Sequence, residues 1–96
     1  MGLLLQDQGK LNLAEPFYRR ALEGFELTLG RDHPNTLTSV NSMGVLLQEQ
    51  GKLSLAEPYY RRALEGCQRT LGPDHPHTVA SANNLRELLT ATAKEK

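Results

Sequence analysis

The stretch MGVLLQEQGKLSLAEPYYRRALEG at residues 43–66 decides how this chain folds, because it occurs twice. Residues 1–24 read MGLLLQDQGKLNLAEPFYRRALEG, the same at 20 of 24 positions. Working outward, residues 1–42 slide onto residues 43–84 without a gap and agree at 29 of 42 positions. A third, partial copy follows, with Leu85, Leu88 and Leu89 in register with Met43, Leu46 and Leu47. Self-similarity at a period of about 20 to 50 residues is the mark of solenoids and propellers, and hydrophobic spacing chooses between them.

The spacing is helical. Leu37, Val40, Met43, Gly44 and Leu47 recur at steps of three and four and form one stripe along an amphipathic helix. Ala56, Tyr60, Ala63, Leu64, Cys67 and Leu71 form a second. Between them Gln50-Gly51-Lys52 leaves room only for a tight turn, so each unit is a hairpin of two antiparallel helices. Local chemistry sets the limits. Pro34 and Pro76 stand where a missing N–H removes no bond, beside Asp32-His33 and Asp74-His75. Gly30 and Gly72 follow the last apolar residues, where a left-handed residue ends a helix. Asn12-x-x-Glu15 and Ser54-x-x-Glu57 match the capping-box pattern and place a helix start near residues 13 and 55, with Pro16 and Pro58 in the opening turns. The helices expected are 1–8, 13–29, 34–50, 55–71 and 76–93.

Composition narrows the function. Ninety-six residues hold one domain, and eleven Lys+Arg against eleven Asp+Glu give no basic footprint for nucleic acid or an anionic membrane. One cysteine makes neither an intramolecular disulfide nor a cysteine-based zinc site, which points to a reducing, cytoplasmic setting. Met1-Gly2 begins a myristoylation-like stretch, but Gln6 stands where Ser or Thr is needed, and Leu3-Leu4-Leu5 is too short for a signal-peptide core.

The unit resembles a tetratricopeptide repeat, specifically the 42-residue variety of kinesin light chains and nephrocystin-3-like proteins. The residues that carry the likeness are Met43-Gly44 and Leu47, Gln50-Gly51-Lys52-Leu53, then Ala56, Tyr60, Ala63-Leu64 and Leu71-Gly72-Pro73-Asp74-His75-Pro76. The resemblance implies an all-α fold, a right-handed α-solenoid of antiparallel helix hairpins with about two and a half repeats: repeat 1 at 1–33, repeat 2 at 34–75 and a capping helix at 76–93. Gly44, Ala56 and Ala63 are then small where helix axes approach, while Tyr60 and Leu64 fill wider space. Gly24 and Gly66, costly inside helices, are expected to touch an adjacent helix. Arg86, in register with Gly44, suits a terminal helix whose outer face meets water. The first copy lacks a counterpart of residues 34–42. The chain therefore reads as the C-terminal piece of a longer array, as a short product of marginal stability, or as one that covers its open N-terminal edge by self-association.

No residue set calls for catalysis, a cofactor or a metal. Of the candidates His33, His75, His77 and Cys67, Asp32-His33 and Asp74-His75 recur one repeat apart in loops and suit capping or loop packing, and Cys67 sits on an apolar stripe as a small buried residue. Arg19-Arg20 and Arg61-Arg62 lie three or four residues from Glu15, Glu23, Glu57 and Glu65, the spacing of helix-surface ion pairs. The resemblance implies a non-enzymatic protein-interaction module whose first helices line a concave groove for a peptide or partner helix. The matching positions are Gln6, Thr38, Asn41, Ser42, Val45, Gln48, Asn83, Asn84 and Glu87. Most are neutral, and a ladder of Asn41 and Asn83 offers a donor and an acceptor per side chain to a peptide backbone. Residues 34–50 contain no Lys or Arg, so an acidic peptide is not the expected ligand. The alternative is a spacer or oligomerisation segment of a larger repeat protein with no groove ligand.

Overall fold

The computed structural model describes residues 2–95, with side chains from 10 to 93. Four helices follow one another: α1 (Gly2–Leu29), α2 (Pro34–Glu49), α3 (Leu53–Leu71) and α4 (Pro76–Glu95). Each packs on the next, α1 on α2, α2 on α3 and α3 on α4. No strand occurs among the described residues. This is an all-α solenoid of about two and a half repeats, as the periodicity demands.

The complete hairpin, α2 with α3, holds the core. Val40, Met43, Leu46 and Leu47 from α2 meet Ala56, Tyr60 and Ala63 from α3, with Leu22 of α1 and Leu85 and Leu88 of α4 closing the sides. The small residues do what their size suggests. A Cβ added at Gly44 would lie 2.8 Å from the Tyr60 ring, and one at Gly66 would lie 2.4 Å from a Leu37 methyl. Both glycines are therefore required by helix proximity. Gly24 differs: nothing lies within 4 Å of its added Cβ, because the counterpart of Leu37 one period earlier falls before residue 1.

The turn behaves as expected in the second unit alone. Gly51 takes φ +83°, and the amides of Gly51 and Lys52 donate to the carbonyls of Gln48 and Leu47. In the first unit the separate helices expected at 1–8 and 13–29 are one helix of 28 residues that runs straight through Gln8-Gly9-Lys10. At about 1.5 Å per residue such a helix is about 42 Å long, which matches the longest dimension of the molecule, 42 Å. A segment of two turns has too little apolar surface to repay closing a hairpin, whereas continuing the helix satisfies one backbone bond per residue.

Both capping boxes are corrected as well. Lys52, not Ser54, caps α3, and its carbonyl accepts from the amides of Leu55 and Ala56. Asn12 and Pro16 lie inside α1, and Pro58 inside α3 beyond its opening turn. Packing of Leu53 against the core draws the α3 start forward, and the helix tolerates the bond lost at Pro58. The other caps use imidazole: His33 Nδ1 accepts from the Asn35 amide and His75 Nδ1 from the His77 amide, each at 3.1 Å. Gly30 and Gly72 both have positive φ, and Gly72 (φ 90°, ψ 159°) occupies a region essentially reserved for glycine.

Candidate functional site

The first helices of two successive units, α2 and α4, stand side by side with the C-terminal half of α3 behind them. Between them runs an open groove of about 210 Å³. Leu37, Cys67 and Leu71 give it an apolar floor, and Thr38, Asn41, Ser81 and Asn84 supply polar groups along it. Asn84 Nδ2 donates to Asn41 Oδ1 at 3.2 Å across the groove. This leaves the Asn41 amide N–H groups and the Asn84 carbonyl oxygen for a visitor. The Cys67 thiol is buried, with Sγ 3.8 Å from the Ser81 hydroxyl. No Lys, Arg, Asp or Glu lines the groove.

The expected groove residues divide into groups. Thr38, Asn41 and Asn84 line this groove together. Ser42 and Val45 line a second crevice of about 180 Å³ against Leu11 and Tyr18 of α1, on the side where a preceding first helix would sit. Gln48 is engaged: its Oε1 accepts from the Tyr60 hydroxyl at 2.7 Å. Burial, then the charges of Glu49 and Glu87, push the Tyr60 phenol above its ordinary value near 10. Asn83 and Glu87 are exposed, so the partner of Asn41 across the helices is Asn84 rather than its exact counterpart Asn83. The side chain of Gln6 lies outside the described residues. Leu37, Leu71, Cys67, His77, Ala80 and Ser81 also line the groove and were not expected there. The apolar stripes signalled that Leu37, Cys67 and Leu71 face inward, but not that the core opens beside them.

Ion pairs hold the outer faces. Arg19–Glu15 at 2.7 Å and Arg61–Glu57 at 2.9 Å are the expected one-turn pairs. Arg62 instead crosses to Glu26 of α1, and Arg69 crosses to Asp32 at 2.9 Å, so these two tie successive units together. Hydrogen bonds from Arg19 and then Gln50 hold the Glu15 carboxyl below the ordinary carboxylate range, with Lys52 at 3.6 Å adding to the effect. The Arg69 guanidinium does the same to Asp32.

Two successive matches to the family model of the tetratricopeptide repeat span residues 1–66 and 38–94. The chain belongs to the tetratricopeptide repeat family. Comparison with curated proteins gives no match. Tetratricopeptide units generally mediate protein–protein interaction, and the family is typically non-enzymatic. Among the described residues no group of three or more His, Cys, Asp or Glu could hold a metal ion. No helix there is long and apolar enough to cross a membrane.

Proposed function

We propose that this tetratricopeptide chain is a non-enzymatic interaction module of the kinesin light chain-like type, working in the cytoplasm, and that it holds an extended, uncharged peptide in the groove between α2 and α4. The observation that carries this reading is the Asn41–Asn84 pair over the floor of Leu37, Cys67 and Leu71. A peptide backbone presents alternating donors and acceptors, and an asparagine side chain offers both, so two amides across a groove grip a main chain whatever its sequence. The apolar floor adds a place for a small aliphatic side chain. The type assignment rests on the 42-residue period and on the Gln50-Gly51-Lys52-Leu53 turn with its Ala56, Tyr60 and Ala63-Leu64 marks.

The absence of cationic side chains along the groove sets the charge preference, because an acidic peptide would lose hydration there without gaining a paired charge. Isothermal titration against neutral and acidic peptide libraries tests the reading. Neutral peptides are expected to bind, Asn41→Ala/Asn84→Ala to abolish that binding, and Asn83→Ala to leave it unchanged. A preference for the acidic set refutes the uncharged-peptide reading, binding indifferent to the loss of both asparagines refutes the groove, and no binding in either set leaves a spacer without a groove ligand.

A further inference from the structure

A different surface carries a second reading, independent of the groove. Among the described residues, α1 occupies the position of a second helix with no first helix beside it, and α4 that of a first helix with no second beside it. Residues 13–29 of α1 and 55–71 of α3 agree at 13 of 17 positions. Helix α3 lies on α2 and reaches back to α1, through Gly66 against Leu37, Tyr60 against Gly44 and Arg62 against Glu26. The corresponding positions of α1 are more open: Phe17 is 68% exposed and Tyr18 42%, where Tyr59 is half-buried and Tyr60 buried, while Leu13 and Leu27 sit where Leu55 and Arg69 of α3 are exposed as well.

The four differences between the two helices are informative. Tyr59, Cys67, Gln68 and Arg69 of α3 become Phe17, Phe25, Glu26 and Leu27 in α1. Glu26 lies on the covered side and pairs with Arg62. Phe17 and Leu27 replace a phenol and a charge with purely apolar groups at exposed positions, whereas Phe25 is half-buried. An exposed helix would be expected to change toward polar residues.

We infer that a second copy of this chain covers that surface, with its α4 and α3 receiving α1 as they would receive the missing second helix of the third unit. Shifting the internal contacts by one period gives the register. Gly24, with nothing within 4 Å, takes Val79 of the other copy, as Gly66 takes Leu37; Val79 is 47% exposed. Phe17 meets Arg61, where inside the chain Arg19 donates to the Tyr59 hydroxyl at 3.5 Å; phenylalanine cannot accept that bond, so Phe17 contributes apolar contact alone. Tyr18 meets Arg86, a flexible side chain in place of Gly44.

The two joined surfaces differ, so the contact is heterologous, and addition of copies extends the solenoid without closing at a dimer. The crossing ion pairs of α3 have no equivalents here, since Arg20 meets Gln68 and Leu27 meets Asp74, so the association is weaker than the internal stacking.

Sedimentation equilibrium of the 96-residue chain, over about a hundred-fold range of concentration, tests this. The mass of wild type is expected to rise past that of a dimer. Phe17→Asp/Leu27→Asp blocks one edge and Val79→Asp the other, at side chains exposed within the single chain, so each variant is expected to stay monomeric with unchanged far-ultraviolet circular dichroism. Mixing the two restores one intact edge on each and is expected to yield a heterodimer and nothing larger. A wild type that stays monomeric throughout overturns the proposal. So does association that survives Val79→Asp, which would mean α1 against α1, or a mixture that remains monomeric. The groove asparagines are untouched in these variants, so peptide binding and self-association fail separately.

Discussion

Gly24 and Gly66 stand at the same position of two nearly identical helices, and alanine at each is expected to act in opposite directions. In both helices Gly→Ala removes a helix penalty of about 1 kcal/mol. At Gly24 that is the whole effect, because nothing lies within 4 Å of the new methyl. Gly24→Ala therefore stabilises, raising the melting temperature by about 4 to 8 °C for a chain of this size. At Gly66 the methyl would lie 2.4 Å from one Leu37 methyl and 3.1 Å from the other. Leu37 is buried and forms the floor of the groove, so relieving the clash means rotating its side chain toward that open space, and overpacking costs about 1 to 3 kcal/mol. The net effect of Gly66→Ala is a loss of about 0 to 2 kcal/mol, which leaves the two variants separated by about 1 to 3 kcal/mol. Thermal and urea unfolding, followed by circular dichroism at a concentration where the chain is monomeric, measure that gap. Leu37→Ala placed on Gly66→Ala should then show a coupling of about 0.5 to 3 kcal/mol, since one change makes the space the other needs. Equal shifts for the two alanine variants, or additive effects with Leu37→Ala, would refute the packing register of α2 on α3.

Two further outcomes follow from the same geometry. Ala63 is buried between helices while Ala91 is only half-buried near the end of α4, so Ala63→Leu should lower the melting temperature by several degrees more than Ala91→Leu, measured in one series. Glu15 and Asp32 both have carboxyl groups held below their unfolded values. The stability they contribute is present above the unfolded carboxylate range near pH 4 and is lost as pH falls through the lower folded values. An acid titration of the melting temperature should therefore be shallower in Glu15→Gln/Asp32→Asn than in wild type, and parallel curves would contradict the ion-pair assignment.

Much of the fold is legible in residue spacing. The 42-residue period, the step of three and four in Val40, Met43, Gly44 and Leu47, and the glycine at position 51 specify stacked hairpins. Size points to the close approaches at Gly44 and Gly66 and to the burial of Ala56 and Ala63, but not to the open surroundings of Gly24, which carries the same residue one period earlier. The groove is partly legible. Thr38, Asn41 and Asn84 fall on it as their helical phase requires, whereas the pairing of Asn41 with Asn84 depends on the offset between α2 and α4, which no single helix encodes.

The sharpest contrast lies in two copies of one tetrapeptide. Gln-Gly-Lys-Leu turns the chain at 50–53 and continues a helix at 8–11. Spacing and residue chemistry establish by themselves that the chain is helical, that it repeats, and which faces are apolar. Tertiary structure decides whether a permitted turn is made, because a glycine only allows the reversal. The free energy for it comes from what the preceding helix can bury: residues 34–49 supply a full apolar stripe, and residues before Gly9 supply two turns of it.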